Sequence, residues 1–202
     1  MSAAGKVCTG FSKPYVAKYS NAGSVVTYSG VMQLARGVSV SMSLNTTDDN
    51  TFYADNVSAE TAPATFTGGT ATLTVDGLLE AAEKFVLGLP EATNVEAGGS
   101  QVAVSHYGDG MDIPYVGVGF VVRYQSAGVI TYAPVVLTKA RFQQPGLDAA
   151  TQEESIDWQT QELTVDLMRD DTTNHDWKLV GADQSTEAAA EEVLKAILGG
   201  AA

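Results

Sequence analysis

Two long strand-like segments joined by a short turn occupy the centre of the sequence and limit how the chain can fold. The first covers residues 115–124 and the second residues 129–138, and the connecting residues 125–128 end in Gly128, where a hairpin loop commonly needs a positive φ angle. At about 3.3 Å per residue, each strand of about 10 residues would be about 30 Å long. Because a two-stranded ribbon is not stable alone in water, we expect its faces to pack against other surfaces, including other copies of the chain.

Composition favours one packed domain spanning residues 1–202. Hydrophobic residues make up 45% and charged residues only 17%, which argues against a disordered chain, and no linker or internal repeat divides the sequence. The net charge of −13 disfavours sequence-independent nucleic-acid binding, because such binding needs Lys and Arg side chains that neutralise phosphates. No apolar segment has the length of a signal-peptide core or a membrane span, so we expect a protein made in a cytoplasm without membrane association.

Alternating apolar and polar residues predict further strands, and two amphipathic patterns predict helices. The predicted strands cover residues 24–35, 38–44, 70–75, 101–107 and 158–168. The first helix is expected to begin at Asp76, a good N-cap residue, and to end at Gly88, and the second covers residues 185–198. The fold class is therefore mainly β, a sandwich or barrel with a long hairpin, one flanking helix and a C-terminal helix.

Residues 45–66 show no periodicity and are predicted to form a long irregular loop. Loops of about 20 residues inside compact domains tend to be functional or ordered by a partner. The acidic residues Asp48, Asp49 and Asp55 in this segment could ligate calcium, but their spacing does not match the helix-loop-helix calcium motif. An acidic, solvated loop is the better interpretation.

Catalytic chemistry is sparse in this sequence. Ser105, His106 and Asp109 could be part of a hydrolytic triad, yet no Gly-x-Ser-x-Gly nucleophile elbow occurs, so we predict no enzymatic activity. Cys8 is the single cysteine and cannot form an internal disulfide, and nothing near it has zinc-ligand spacing. We accordingly predict no cofactor and no metal site.

Two tryptophans support an alternative function. Trp158 and Trp177 could form a platform for sugar rings in an all-β binding module, although both also fit the core or rim of a sandwich. The alternative to self-association is therefore a monomeric β-sandwich that binds carbohydrate or a cell surface.

Four segments in a fixed order carry a resemblance to a known family. They are VGVGFVVRY at 116–124, YAPVVLTKARF at 132–142, the loop 143–154 and IDWQTQELT at 156–164, and a weaker match covers NTFYADN at 50–56 with DGLL at 76–79. In these features the chain resembles the major tail tube proteins of long-tailed bacteriophages of the siphophage type. The C-terminal helix has no counterpart in the family pattern.

The resemblance implies a structural subunit that forms six-membered rings, and these rings stack into a hollow tube. Hairpins from six copies, here residues 115–138, would join into a continuous β-barrel around a central channel. The hairpin residues expected to meet neighbouring copies are Val116, Val118, Phe120, Val121, Val122, Val129 and Tyr132. The loop 45–66 would reach an adjacent ring through Asp48, Asp49, Asn50, Phe52, Tyr53 and Asp55.

The resemblance also implies partners and a location. The protein would pair with copies of itself, contact a tape measure protein and a tail terminator, and reside in the tail of the virion. Genome DNA would pass through an acidic channel without specific binding, because carboxylates on the wall repel phosphates. Glu162 and Asp166 share a polar strand face and are the residues we expect to face the channel.

Overall fold

A computed structural model describes residues 5–147, 149–151 and 158–200 of the 202-residue chain. The chain is mainly β with two helices, as the sequence predicts. In order, the elements are β1 (Val7–Ala22), β2 (Val25–Gln33), β3 (Gly37–Thr46), β4 (Asn50–Ala54), β5 (Val57–Ala62), β6 (Phe66–Val75), α1 (Glu80–Leu87), β7 (Thr93–Ala97), β8 (Ser100–Val104), β9 (Val116–Ser126), β10 (Val129–Phe142), β11 (Gln161–Met168), β12 (Lys178–Val180) and α2 (Glu187–Ile197). The predicted loop 143–154 and the start of the motif at 156 lie partly outside the described residues.

One eight-stranded antiparallel sheet organises the molecule. Seven strands follow the order β2-β1-β9-β10-β11-β6-β3, and β12 pairs with β10 beside this path. The sheet curls over itself, because the start of β3 at Gly37 lies against the Phe11 ring of β1, which in turn packs edge-on against Phe120 of β9. The result is a sandwich-like shape with a buried interior.

The central hairpin is confirmed as β9 and β10. Ser126 pairs with Val129, so the turn contains only two residues, Ala127 and Gly128, with φ angles of 48° and 83°. Positive φ at both positions matches the type I′ geometry that fits the twist of antiparallel strands. The turn is therefore tighter than the four-residue connection that the sequence suggested.

A single large cluster of buried side chains fills the interior. Leu73 of β6, Phe120 of β9, Leu163 of β11 and Val86 of α1 all belong to it. Because α1 contributes its apolar face, the helix closes one end of the curled sheet. Gly88 ends the helix with a φ of 58°, which confirms the predicted stop.

The predicted start of α1 at Asp76 is wrong by one turn. The helix begins after Leu79, which makes no side-chain cap. The Asp76 carboxylate instead accepts hydrogen bonds from the backbone nitrogen and the Nε of Arg36 at 3.0 and 2.5 Å. Since Arg36 lies in the β2–β3 connection, Asp76 ties that connection to the end of β6 and is not free to cap the helix.

The C-terminal helix α2 covers the opposite face of β9 and β10. Thr186 caps it by accepting a hydrogen bond from the Ala189 nitrogen. Leu194 and Leu198 are buried and press on Gly119 and Gly117, where any larger side chain would collide with them. These contacts form a second, smaller apolar cluster that is separate from the main core.

Candidate self-association surfaces

The two ends of the curled sheet are unlike edge strands. β2 and β3 each have a single strand partner among the described residues, because they stand at the two ends of the sheet order. The outer backbone N–H and C=O groups of an edge strand form a template for pairing with another strand. The sequence placed the free edges on the central hairpin, whereas the structure places them on β2 and β3.

The apolar side of β3 is only partly covered by its own chain. Val40 and Met42 lie directly opposite the buried residues Leu73 and Ala71 of β6, so both point toward the interior. Yet Met42 is 40% exposed and the next inward residue, Leu44, is 44% exposed. The interior of the sheet is therefore open at the β3 edge, where a neighbouring surface could cover it.

The outer face of β3, β6 and β11 is lined by hydroxyl and charged side chains. Ser41 lies opposite Thr72, which lies opposite Thr164, and the same register repeats on both sides of this row. Arg141 of β10 adds a guanidinium directly opposite Asp166. The members of this polar face are Ser39, Ser41, Ser43, Thr70, Thr72, Thr74, Glu162, Thr164, Asp166 and Arg141. The structure therefore puts Glu162 and Asp166 on one face, as expected from the sequence.

Residues 47–65 form a projecting two-stranded arm, which corrects the prediction of an irregular loop. β4 and β5 pair along their length and are joined by Asp55 and Asn56, both with positive φ. At the base, the Thr47 nitrogen bonds the Thr65 carbonyl oxygen at 2.9 Å, so the arm continues β3 and β6. A register shift between Phe52 and Tyr53 and exposure of both faces remove the alternation that would have revealed these strands in the sequence.

The predicted stacking residues all lie on this arm. Phe52 and Tyr53 are each 65% exposed, and Asp48, Asn50 and Asp55 are also exposed. Exposed Asp49 has a structural role in addition, because its Oδ1 accepts a hydrogen bond from the Ala64 nitrogen at 2.7 Å. Large exposed aromatic side chains beside carboxylates are typical of a surface that another molecule covers.

The predicted hairpin contacts are mostly buried inside one chain, which differs from the expectation that they meet other copies. Five of them, Val116, Val118, Phe120, Val121 and Val122, are buried, because β1 and β10 flank β9 while the core and α2 cover its faces. In the single chain these five side chains contact their own core and α2. Only Val129, which is exposed, and Tyr132, which is half-buried, remain open to a partner.

A network around Glu191 holds α2 to β1. Its carboxylate accepts hydrogen bonds from the Tyr15 hydroxyl at 2.6 Å and forms ion pairs with Lys195 at 2.7 Å and Lys13 at 3.1 Å. Partial burial favours the neutral acid, but the bonds from Lys195, Tyr15 and Lys13 outweigh it and lower the pKa of Glu191 to about 2. The ionised carboxylate is therefore part of the folded state.

We expect this network to make the protein less stable in acid. Because the pKa of Glu191 falls from 4.5 to about 2 on folding, its contribution is complete above pH 4.5 and is lost as the pH falls toward 2. Glu191→Gln should be less stable than the wild type at pH 7, and the difference should shrink between pH 4.5 and 2.5. Urea unfolding at a series of pH values measures this, and an unchanged difference across that range would contradict the assigned role.

The histidine and tryptophan candidates for catalysis and sugar binding lie in different parts of the fold. The His106 Nε2 lies 2.6 Å from the Thr93 hydroxyl, at the base of the exposed β7–β8 hairpin. Trp177 stacks on Phe66 with ring centroids 4.8 Å apart, whereas Trp158 is 82% exposed. Within the described ranges, no group of three or more His, Cys, Asp or Glu side chains is arranged to hold a metal ion.

Comparison with known proteins adds no family assignment. A scan against protein-family models found no match to the chain. A search of curated proteins found no significant match either. Among the described residues, neither helix has the length and apolar character needed to cross a membrane.

Proposed function

We propose that the protein is the repeating structural subunit of a bacteriophage tail tube, which polymerises as stacked six-membered rings around a channel for DNA. The observation that carries this proposal is the pair of unlike free edges, β2 and β3, at the two ends of one curled sheet. The resemblance of residues 115–164 to siphophage tail tube proteins supports it. Genome DNA passes without specific binding, and the tape measure protein and tail terminator are further partners.

Unlike edges favour a closed ring over a dimer. When β3 of one copy pairs with β2 of the next, the contact is head-to-tail, and repeating it consumes both edges of every copy. If the rotation per copy closes, neither end of the eight-stranded sheet is left unpaired. The neighbour's edge also covers Met42 and Leu44, whose apolar surface is open in the single chain.

The polar face suits the channel wall. β3, β6, β11 and the end of β10 carry this face, so six copies would turn six such faces toward the pore. The wall would carry Ser and Thr hydroxyls together with Glu162 and Asp166, partly balanced by Arg141. Such a wall has hydrated hydroxyl groups and few basic side chains, so it offers DNA phosphates no tight binding site.

The arm provides the contact between rings. Replacing residues 48–64 with Asn-Gly joins Thr47 to Thr65, which already pair, through a two-residue turn that suits a hairpin. This variant should keep the circular dichroism of the wild type and form single rings that do not grow into tubes, because the exposed Phe52 and Tyr53 are gone. Light scattering after size exclusion measures the difference.

A matched control removes the other projecting hairpin. Replacing residues 95–102 with Asn-Gly joins Asn94 to Ala103, which also pair, and tube growth should be unaffected. Normal tubes from the variant without the arm would show that the arm does not stack rings.

Exposed Trp158 is the one observation that favours the second candidate, a monomeric carbohydrate-binding module. Its neighbour in sequence, Gln159, lines an open polar depression together with residues that include Gln161, Glu162 and Gln143. An indole face beside amide and carboxylate groups is a common arrangement for binding a sugar ring. A glycan array with the wild type and Trp158→Ala tests it, and specific binding that the substitution abolishes, by a protein that stays monomeric, would favour this function over the tube.

A further inference from the structure

Charges are segregated between the strands of this molecule. The first acidic residue of the sequence is Asp48, and no acidic residue lies between Asp112 and Asp148. The strands β1, β9 and β10 therefore carry lysines and arginines but no carboxylates, and β2 carries no charged residue. Conversely, no lysine or arginine lies between Arg36 and Lys84, so the arm carries only negative charge. In a protein of net charge −13, these strands form a basic surface, which we call the ribbon, and the arm at residues 47–65 is acidic.

Three of the six basic side chains on or beside these strands are neutralised within the chain. Lys6 pairs with Asp183 at 2.5 Å, Lys13 with Glu191 at 3.1 Å and Lys139 with Asp171 at 2.8 Å. These carboxylates all belong to the segment that follows β11 and packs onto the ribbon. Arg123, like Lys18 and Arg141, has no ion pair among the described residues, and its Nη1 only approaches the Thr9 hydroxyl at 3.4 Å. Of these three, Arg123 is the one that lies at the turn end of the central hairpin.

Arg123 lies among exposed apolar side chains at the turn end of the ribbon. Val7 and Ile130 both lie opposite Gln125, so they share a face with Arg123 two residues away on β9. Val7 is 62% exposed, and Val129 beside the turn is 63% exposed. We name Val7, Arg123 and Ile130, together with Val129 at the turn, the ribbon end; Val129 lies opposite Ser126 and points to the other face of the sheet. The ribbon end combines one unpaired positive charge with an uncovered apolar surface.

The arm presents the complementary combination. Glu60 lies directly opposite Phe52, so the carboxylate and the aromatic ring share one face of the β4–β5 hairpin. Val57, which lies opposite Ala54, extends the apolar surface of this face toward the tip, and Tyr53 lies on the other face; both are exposed. Its shape and charge therefore fit a surface that offers a cation next to aliphatic side chains.

We propose that the arm of one copy docks on the ribbon end of a second copy in the adjacent ring, with Glu60 paired to Arg123. This inference rests on the proposed function and identifies the surface that receives the arm. Phe52 covers Val7 and Ile130, and the guanidinium and carboxylate bond at their border. The contact joins two different surfaces, so it repeats along the tube axis without closing on itself.

A charge exchange tests this pairing in the full chain. Arg123→Glu and Glu60→Lys should each raise the protein concentration needed for tube growth by at least about tenfold, because each places like charges at the contact. The double variant should recover at least part of the loss, since the pair is restored with opposite polarity. Lys18→Glu and Glu96→Lys make the same charge changes at exposed sites away from the contact and should assemble as the wild type does.

Cross-linking gives a second readout. Cys8 is exposed on β1 opposite Tyr124, beside the ribbon end, and Ser58 is exposed on the arm. A short thiol-reactive cross-linker should join Ser58→Cys to Cys8 of another copy in the assembled protein, giving a ladder of dimers and longer multimers on a denaturing gel. Ser100→Cys on the β7–β8 hairpin is the control and should give none.

The outcomes separate this inference from the proposed function. Tubes that form normally in both single variants, or a double variant no better than either single one, would overturn the arm–ribbon contact and leave the tube intact. Cross-links from Ser100→Cys but not from Ser58→Cys would also overturn it. A wild-type protein that stays monomeric at every concentration would contradict both proposals.

Discussion

Met42→Lys is expected to hold the protein as a folded monomer at concentrations where the wild type assembles. Met42 points toward the open interior of the edge strand β3 and is 40% exposed, so a lysine there can extend its ammonium group into water in the single chain. A neighbouring β2 strand would cover that charge. Natural edge strands use inward-pointing lysines in this way to prevent pairing. Burying the unpaired charge should cost about 3 kcal/mol, which lowers the association constant more than about a hundredfold.

Analytical ultracentrifugation over a range of concentrations measures this loss. Met42→Leu conserves volume and should assemble like the wild type. Val95→Lys places the same charge on β7, outside the sheet path, and should also assemble. Circular dichroism and urea unfolding check that Met42→Lys is folded. If that variant is folded and still assembles at wild-type concentrations, the β3 edge is not an interface.

Leu194→Ala should have the largest effect on the stability of the single chain. Leu194 is completely buried, and its Cδ1 lies 2.5 Å from where a β-carbon on Gly119 would stand, so it packs directly on the β9 backbone. Truncating a buried leucine removes transfer energy and leaves a cavity, which together cost about 2–5 kcal/mol. For a domain of this size, a loss of 3 kcal/mol lowers the melting temperature by about 6–12 °C.

Urea denaturation measures the loss, and a neighbouring position on α2 gives the control. Glu192 is exposed, so Glu192→Ala should change the free energy of unfolding by less than about 0.5 kcal/mol. A loss below about 1 kcal/mol for Leu194→Ala would mean that α2 contributes little to the fold. The second apolar cluster would then be only a loosely attached cover.

Local sequence signals were sufficient for the hairpin and the C-terminal helix. Gly128 identifies the turn because a positive φ angle is required there, and Ala127 adopts one as well. In α2, Ala190, Leu194 and Leu198 recur at helical spacing and are the residues that the structure buries. The surface that these residues pack against could not be predicted, because nothing near α2 in sequence indicates that the helix covers β9.

Long-range pairing explains the predictions that were wrong. The sequence did not reveal β1 as a partner of β9, because register shifts near Thr9 and Pro14 interrupt its alternation. The resemblance implies contacts between copies at Val116, Val118 and Val122, whereas in the single chain these side chains are buried in the main core. Local sequence predicts Asp76 as a helix cap. Its actual partner, Arg36, lies far away in sequence, so no local pattern reveals their hydrogen bond.

The polar face shows how far strand alternation alone can go. It places Glu162 and Asp166 on one side of β11, which the structure confirms. The Ser and Thr rows on β3 and β6 extend this face only because the three strands are neighbours with aligned register. Sheet order, which depends on the whole chain, determines whether isolated polar residues become a continuous surface.

Negative-stain electron microscopy of the concentrated, purified protein tests edge-to-edge ring closure most directly. We expect end-on views of hollow rings with six-fold symmetry and side views of stacked tubes, and the rings should be lost in Met42→Lys. Compact, featureless particles with no central hole, at concentrations where light scattering shows no growth in mass, would contradict the account.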